Sequence, residues 1–264
     1  MDSTSSAQSR LRALLAIGMF NCGPRAAWLT ESYLYELSLY TFLVSPRQEE
    51  LVIVSGAAEN IANRLLPGEH KSEKLCLPGM RLLDAPDDAY RLVHLPTGAR
   101  LKTTRRTDGG QGGTAHSISS WWTADKPLTR SEKAVLGSLP PMTRDAEVLL
   151  GSLVSRLWLR APDGDWAIGG WFNPPSTTRR NRSQGHSRRL DGSGDHWTLE
   201  WTSYPYPEDL VAALTHPRAG LKGARVLPDG KTAQLRYGTA RLTLVPELQR
   251  QHDRLEGVSR IWRC

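Results

Sequence analysis

The sequence predicts an α+β protein of two related halves, each made of helices and an antiparallel β-meander. Three observations lead there. Apolar residues recur at helical spacing up to residue 66 and again after residue 128, whereas short segments bounded by Pro, Asp and Gly turns fill 79–104 and 223–245. Those two strand-rich stretches echo each other, since Gly79, Arg81 and Leu83 match Gly223, Arg225 and Leu227, and Ala99-Arg100-Leu101 matches Ala240-Arg241-Leu242. Between the halves, four of the five residues 109–113 are glycine, which leaves little side chain to pack and favours a linker or mobile loop over 108–114. The expected units are therefore 1–107 and 115–264.

Taken in order, Leu11, Leu14, Leu15 and Ala16 place a helix over 9–17, closed by a turn at Asn21-Cys22-Gly23-Pro24. Tyr33, Leu37, Tyr40 and Val44 favour a second helix from Leu29, although the Tyr, Thr and Phe content keeps a strand open. Ser45, Pro46 and Gln48 read as cap, first turn and capping box of a third helix through Leu51, Val54, Ala58, Ile61 and Leu65. The run Leu51-Val52-Ile53-Val54 reads equally well as a buried strand, because four apolar residues do not define a period. Three strands follow at 80–83, 90–95 and 99–104.

In the second half, Thr129 and Glu132 form a capping box for a helix that Pro140-Pro141 stops, and a further helix starts at Thr143. A hairpin around Pro162-Asp163-Gly164 is expected next. Trp197, Leu199 and Trp201 then alternate with His196, Thr198 and Glu200, as on a strand with one buried face. Strands at 223–227, 232–237 and 240–245 complete the second meander.

With 264 residues, 39% of them hydrophobic, the chain can bury a sizeable core. Its formal net charge of +7 favours acidic partners. No run approaches the roughly 20 apolar residues of a bilayer span, and the opening Met1-Asp2-Ser3 lacks a basic signal start, so a cytoplasmic location away from membranes is expected. Cys22, Cys76 and Cys264 have neither metal nor disulfide-framework spacing. Arginine outnumbers lysine 27 to 7, a bias that fits a GC-rich, bacterial genome.

The most distinctive segment is 173–195. It holds Arg179, Arg180, Arg182, His186, Arg188 and Arg189, with no acidic residue from 179 to 189 and with Gly and Pro turns on both flanks. Arginine's planar fork of donors suits phosphate, so this loop is the expected nucleic-acid-binding site of a non-catalytic protein, with nearby tryptophans available for stacking. An acidic protein partner bound by an assembly or adaptor protein is the first alternative. The second is a metal-dependent nuclease using Asp195, His196 and Glu200, although on a strand His196 and Glu200 stand about 13 Å apart. No cofactor is expected, because no nucleotide-binding glycine pattern, His-Glu-x-x-His or Gly-x-Ser-x-Gly occurs.

Overall fold

In the computed structural model the described residues are 6–20, 43–44, 50–55, 58–67, 77–86, 89–105, 122–155, 159–160, 166–167, 188–201, 221–229 and 232–246. They form a mixed α+β fold with two five-stranded sheets. Helix α1 (Ser6–Phe20) is followed by β1 (Leu43–Val44), β2 (Leu51–Ser55), α2 (Ala58–Leu65) and the meander β3 (Met80–Asp84), β4 (Ala89–His94) and β5 (Ala99–Arg105). After these come α3 (Arg130–Ser138), α4 (Arg144–Ser155), a short pair β6 (Leu159–Arg160) and β7 (Trp166–Ala167), then β8 (Arg188–Ser193) and β9 (His196–Trp201). The last meander is β10 (Arg225–Asp229), β11 (Thr232–Tyr237) and β12 (Ala240–Pro246).

The first sheet runs β1-β2-β5-β4-β3 and the second β8-β9-β12-β11-β10. In each, an antiparallel hairpin meets an antiparallel meander through one parallel pair, β2 with β5 and β9 with β12. Each meander also opens on the same turn. Met80 N–H donates to Leu77 O (3.2 Å) and Ala224 N–H to Leu221 O (3.0 Å), with Gly79 at φ 87° and Gly223 at φ 90°. A turn with positive φ at its third residue requires glycine there, which explains the Gly of both echoes.

One hydrophobic core joins the elements. α1 contributes Leu11, Ala13, Leu14, Leu15, Ala16 and Ile17, a set that covers every side of the helix, and it lies against α4. The two helices approach closely because α4 carries Gly151, where a Cβ would stand 3.0 Å from Arg12 Cβ and 3.2 Å from the Ser9 carbonyl. Arg10 and Glu147 pair across the helices at 3.2 Å, and Gln8 Nε2 donates to the Arg100 carbonyl on β5. α2 buries Ala58, Ile61, Ala62 and Leu65, and Thr103 Oγ1 donates to the Ala58 carbonyl.

Most expected elements are present, including both meanders, the α3 capping box and the short hairpin. Two segments that read as either helix or strand are strands. The long helix from Pro46 is instead strand β2 followed by α2, because Leu51 and Ile53 are buried on the parallel contact with β5. Likewise Leu43 and Val44 are paired with β2 as a strand rather than ending a helix. The Asn21–Pro24 turn, 29–40 and the 108–114 glycine segment lie outside the described residues.

The most heavily bonded polar contact is buried. Arg81, on edge strand β3, is fully inaccessible and meets Glu132 through Nη1–Oε1 and Nη2–Oε2 bonds of 2.8 Å each. It also donates to the carbonyls of Met80, Lys126 and Pro127, while the Trp122 ring covers its guanidinium at 4.9 Å. Glu132 additionally accepts from the N–H groups of Gly79 and Thr129. Burial alone would raise its pKa, but the bonds from Arg81, Thr129 and Gly79 prevail and hold it below the ordinary 4.5. His94 is buried as well. Its Nε2 faces the Pro78 carbonyl at 3.0 Å, so that nitrogen carries the proton and Nδ1 accepts from Thr97. Desolvation lowers its pKa from 6.5 to about 4, against the Pro78 bond, which favours the charged form.

Two measurements test this framework. Arg81→Met alone should cost about 3 to 5 kcal/mol in urea unfolding by stranding a buried carboxylate, whereas Arg81→Met with Glu132→Leu should recover much of the loss. A double variant no better than the single would show that the remaining bonds of the network, those of Arg81 to the carbonyls and Trp122 and those of Glu132 to Gly79 and Thr129, and not the charge pair, carry the effect. Second, because His94 has a depressed pKa in the fold, its contribution is complete above about 6.5 and is lost as the pH falls toward about 4. Unfolding free energy should drop across that window by up to about 3 kcal/mol, and His94→Gln should flatten the decline.

Candidate anion-binding face

The second sheet separates its residues by the two-residue period of the strand. Inward, Leu190, Trp197, Leu199, Ala233, Leu235, Ala240, Leu242 and Leu244 are buried. Outward, the register aligns Ser193, His196, Arg241, Arg236 and Arg225 in one row across all five strands. His196, Arg241, Arg236 and Arg225 are all exposed. At strand spacing the row from His196 to Arg225 spans about 14 Å.

A neighbouring row holds Asp191, Thr198, Thr243, Gln234 and Leu227. An open cavity of about 500 Å³ lies over these strands, lined by Asp191, His196, Thr198, Glu200, Arg241 and Thr243 among others. Arg236 Nε donates to the Gly238 carbonyl at 3.0 Å, which limits the reach of that side chain to the turn side of the row. Like charges on directly opposed strand positions repel. Three adjacent arginines are therefore a cost to the fold.

Asp195 belongs to the scaffold. Thr143 Oγ1 donates to its carboxylate and accepts from Ala146 N–H at the start of α4, and the Asp195 carbonyl accepts from Arg241 N–H at 2.7 Å. Asp195 thus ties the α4 terminus to the β8–β9 turn and to β12. His196 and Glu200 share the outer face with Thr198 between them, as the alternation implied, so Asp195, His196 and Glu200 are not brought to one point. Among the described residues no group of three His, Cys, Asp or Glu side chains is placed to hold a metal ion.

Of the expected basic segment, Arg179, Arg180, Arg182 and His186 lie outside the described residues. Arg188 and Arg189 begin β8, opposite Trp201 and Glu200. Trp197 is buried, as the alternation implied, with its Nε1–H on the Gly194 carbonyl, and the Trp122 ring packs on Arg81. The arginine row was missed from sequence because Arg225, Arg236 and Arg241 are scattered along the chain. Two tight turns were the usable signal, since the closing pairs Asp229–Thr232 and Tyr237–Ala240 set the register that aligns them.

No protein-family model, curated protein or solved structure matches the chain. Among the described residues no helix is long and apolar enough to cross a membrane.

Repulsion along the row is measurable without any ligand. Arg236→Thr should raise stability at low salt by a few tenths to about 1 kcal/mol, and 1 M NaCl should erase most of the gain. A loss of stability at low salt would mean that the Gly238 bond outweighs the repulsion.

Proposed function

We propose that this is a non-catalytic assembly or adaptor protein that docks an acidic polypeptide on the outer face of its second sheet. The single observation that carries the reading is the cross-strand row of exposed Arg225, Arg236, Arg241 and His196 on four neighbouring strands of one sheet. The lining favours a polypeptide: Thr198, Gln234 and Thr243 lie beside Arg241 in the same cavity and offer hydroxyl and amide groups that match a main chain, while the arginines match its carboxylates.

A second reading, binding of DNA or RNA through Arg179, Arg180, Arg182, His186, Arg188 and Arg189, has its own support. That basic segment runs into β8, an edge strand of the same sheet, at Arg188 and Arg189. We also infer that the halves are diverged copies. The common strand order, the paired Gly79 and Gly223 turns, and the equivalent placing of Leu101 beside Leu51 and Leu242 beside Trp197 support this.

One titration separates the partners. A labelled poly-glutamate peptide, duplex DNA and single-stranded RNA are bound to the wild type and to an Arg225→Ser, Arg236→Ser, Arg241→Ser triple variant over a salt series. The adaptor reading expects the peptide to bind and the triple variant to weaken it at least tenfold. DNA binding with a log–log salt slope near −4 to −5, whose magnitude Arg180→Ala with Arg188→Ala lowers by about two while weakening all sequences alike, would favour the nucleic-acid reading instead.

A further inference from the structure

The two sheets end on corresponding edge strands, β3 and β10, but only β3 is described with a cover. Leu82 N–H donates to the Trp122 carbonyl at 2.8 Å, and Leu82 bridges Thr123 in parallel. The Trp122 ring covers Arg81, and Glu132 takes its guanidinium in both carboxylate oxygens. The first edge is thus completed from within this chain by two elements: the Trp122–Thr123 segment supplies one backbone acceptor and one aromatic ring, and α3 supplies one carboxylate.

Counting from the shared turns at Gly79 and Gly223, Arg225 occupies the place of Arg81 and Val226 that of Leu82. Their surroundings differ. Arg81 is fully buried, whereas Arg225 is exposed and Val226 is 40% exposed, and no strand lies beyond β10 among the described residues. Bonding phase matches too. Asp229 and Thr232 close a hairpin with two residues between them, a pair that exchanges both backbone bonds. Bonded pairs then alternate along the ladder to Arg225–Arg236, which leaves Val226 N–H and C=O pointing away from β11, as Leu82 N–H points away from β4. Pro228 shares that outward phase and has no N–H, so it limits pairing to the neighbourhood of Val226.

We propose that the β10 edge receives a short extended segment of a partner protein, added in parallel at Val226, with an aromatic residue and a carboxylate directed to Arg225. This rests on the acidic-polypeptide reading and specifies how that partner is held. Main-chain bonds at Val226 supply the register, while Arg225 and the adjoining Arg236 supply the charge match, the two components of strand addition to an open edge.

The test uses the full chain and a labelled ten-residue peptide, Glu-Thr-Trp-Thr-Glu-Thr-Trp-Thr-Glu-Thr, which directs acidic and aromatic side chains to one face when extended. A second peptide of the same sequence carries N-methyl groups on its backbone. Val226→Pro should be tolerated in folding, because the N–H it removes points outward, and should weaken the first peptide at least tenfold. Arg225→Glu should do likewise, the N-methylated peptide should bind the wild type at least tenfold more weakly, and amide exchange at Val226 should slow in the complex. If Val226→Pro and N-methylation leave affinity unchanged while Arg236→Ser with Arg241→Ser weakens it, strand addition is wrong and the face reading survives. If none of these changes matters, or only nucleic acid binds the wild type, both readings fall. Self-association that Val226→Pro abolishes would overturn the proposal in favour of a second copy as occupant.

Discussion

The buried pair of Arg81 and Glu132 is the constraint on which the arrangement of the first sheet's edge depends. Two charges removed from water are tolerable only if nearly every donor and acceptor is used. Arg81 spends its nitrogens on Glu132 and three carbonyls, and Glu132 spends its oxygens on Arg81, Gly79 and Thr129. Satisfying this network fixes the turn at Gly79, the path of 122–129 and the start of α3 together. An N-cap motif that a sequence reading treats as local is therefore also the anchor of a strand more than 50 residues away.

The fold closes through a contact of a different kind. α1 is buried on all sides and lies against α4, which α1 can approach closely only because position 151 has no side chain. α4 is in turn held at its start by Thr143 on Asp195 and by Asp145, whose carboxylate accepts from the backbone and hydroxyl of Thr239 in the β11–β12 turn. The second sheet's turns thus position α4, α4 positions α1, and α1 reaches β5 of the first sheet through Gln8. This chain of contacts keeps the polar face of the second sheet on the outside, away from the core.

How much of this was legible follows from the range of each signal. Both meanders, the α3 cap and the inward alternation of Trp197 and Leu199 were readable, because turn chemistry and a two-residue period act within a few positions. Leu51 to Val54 was ambiguous for a physical reason. A strand paired in parallel inside a sheet needs no alternation, so its apolar run resembles a buried helix. Glu132 was assigned to its cap but not to Arg81, and the arginine row was not seen at all, since both depend on which strands become neighbours. The most visible basic cluster, Arg179 to Arg189, drew the functional reading because contiguous charge is easy to see in one dimension.

The comparison of the two outer faces gives the arginine row its meaning. In the first sheet the register sets Arg81, Val93 and Arg100 side by side, while in the second it sets Arg225, Arg236 and Arg241. The first row places an apolar residue between its cations and buries one of them against a carboxylate of the same chain. The charge of Arg81 is neutralised within the fold, and the edge is covered. The second row keeps all three cations exposed, with no apolar spacer, beside a strand edge that ends the sheet. Solubility does not require such an alignment, for scattered charges serve it without mutual repulsion. Register, not sequence proximity, holds this row together: in the first sheet the edge cation Arg81 meets a carboxylate of the same chain, whereas in the second the edge cation Arg225 stands exposed beside Arg236 and Arg241.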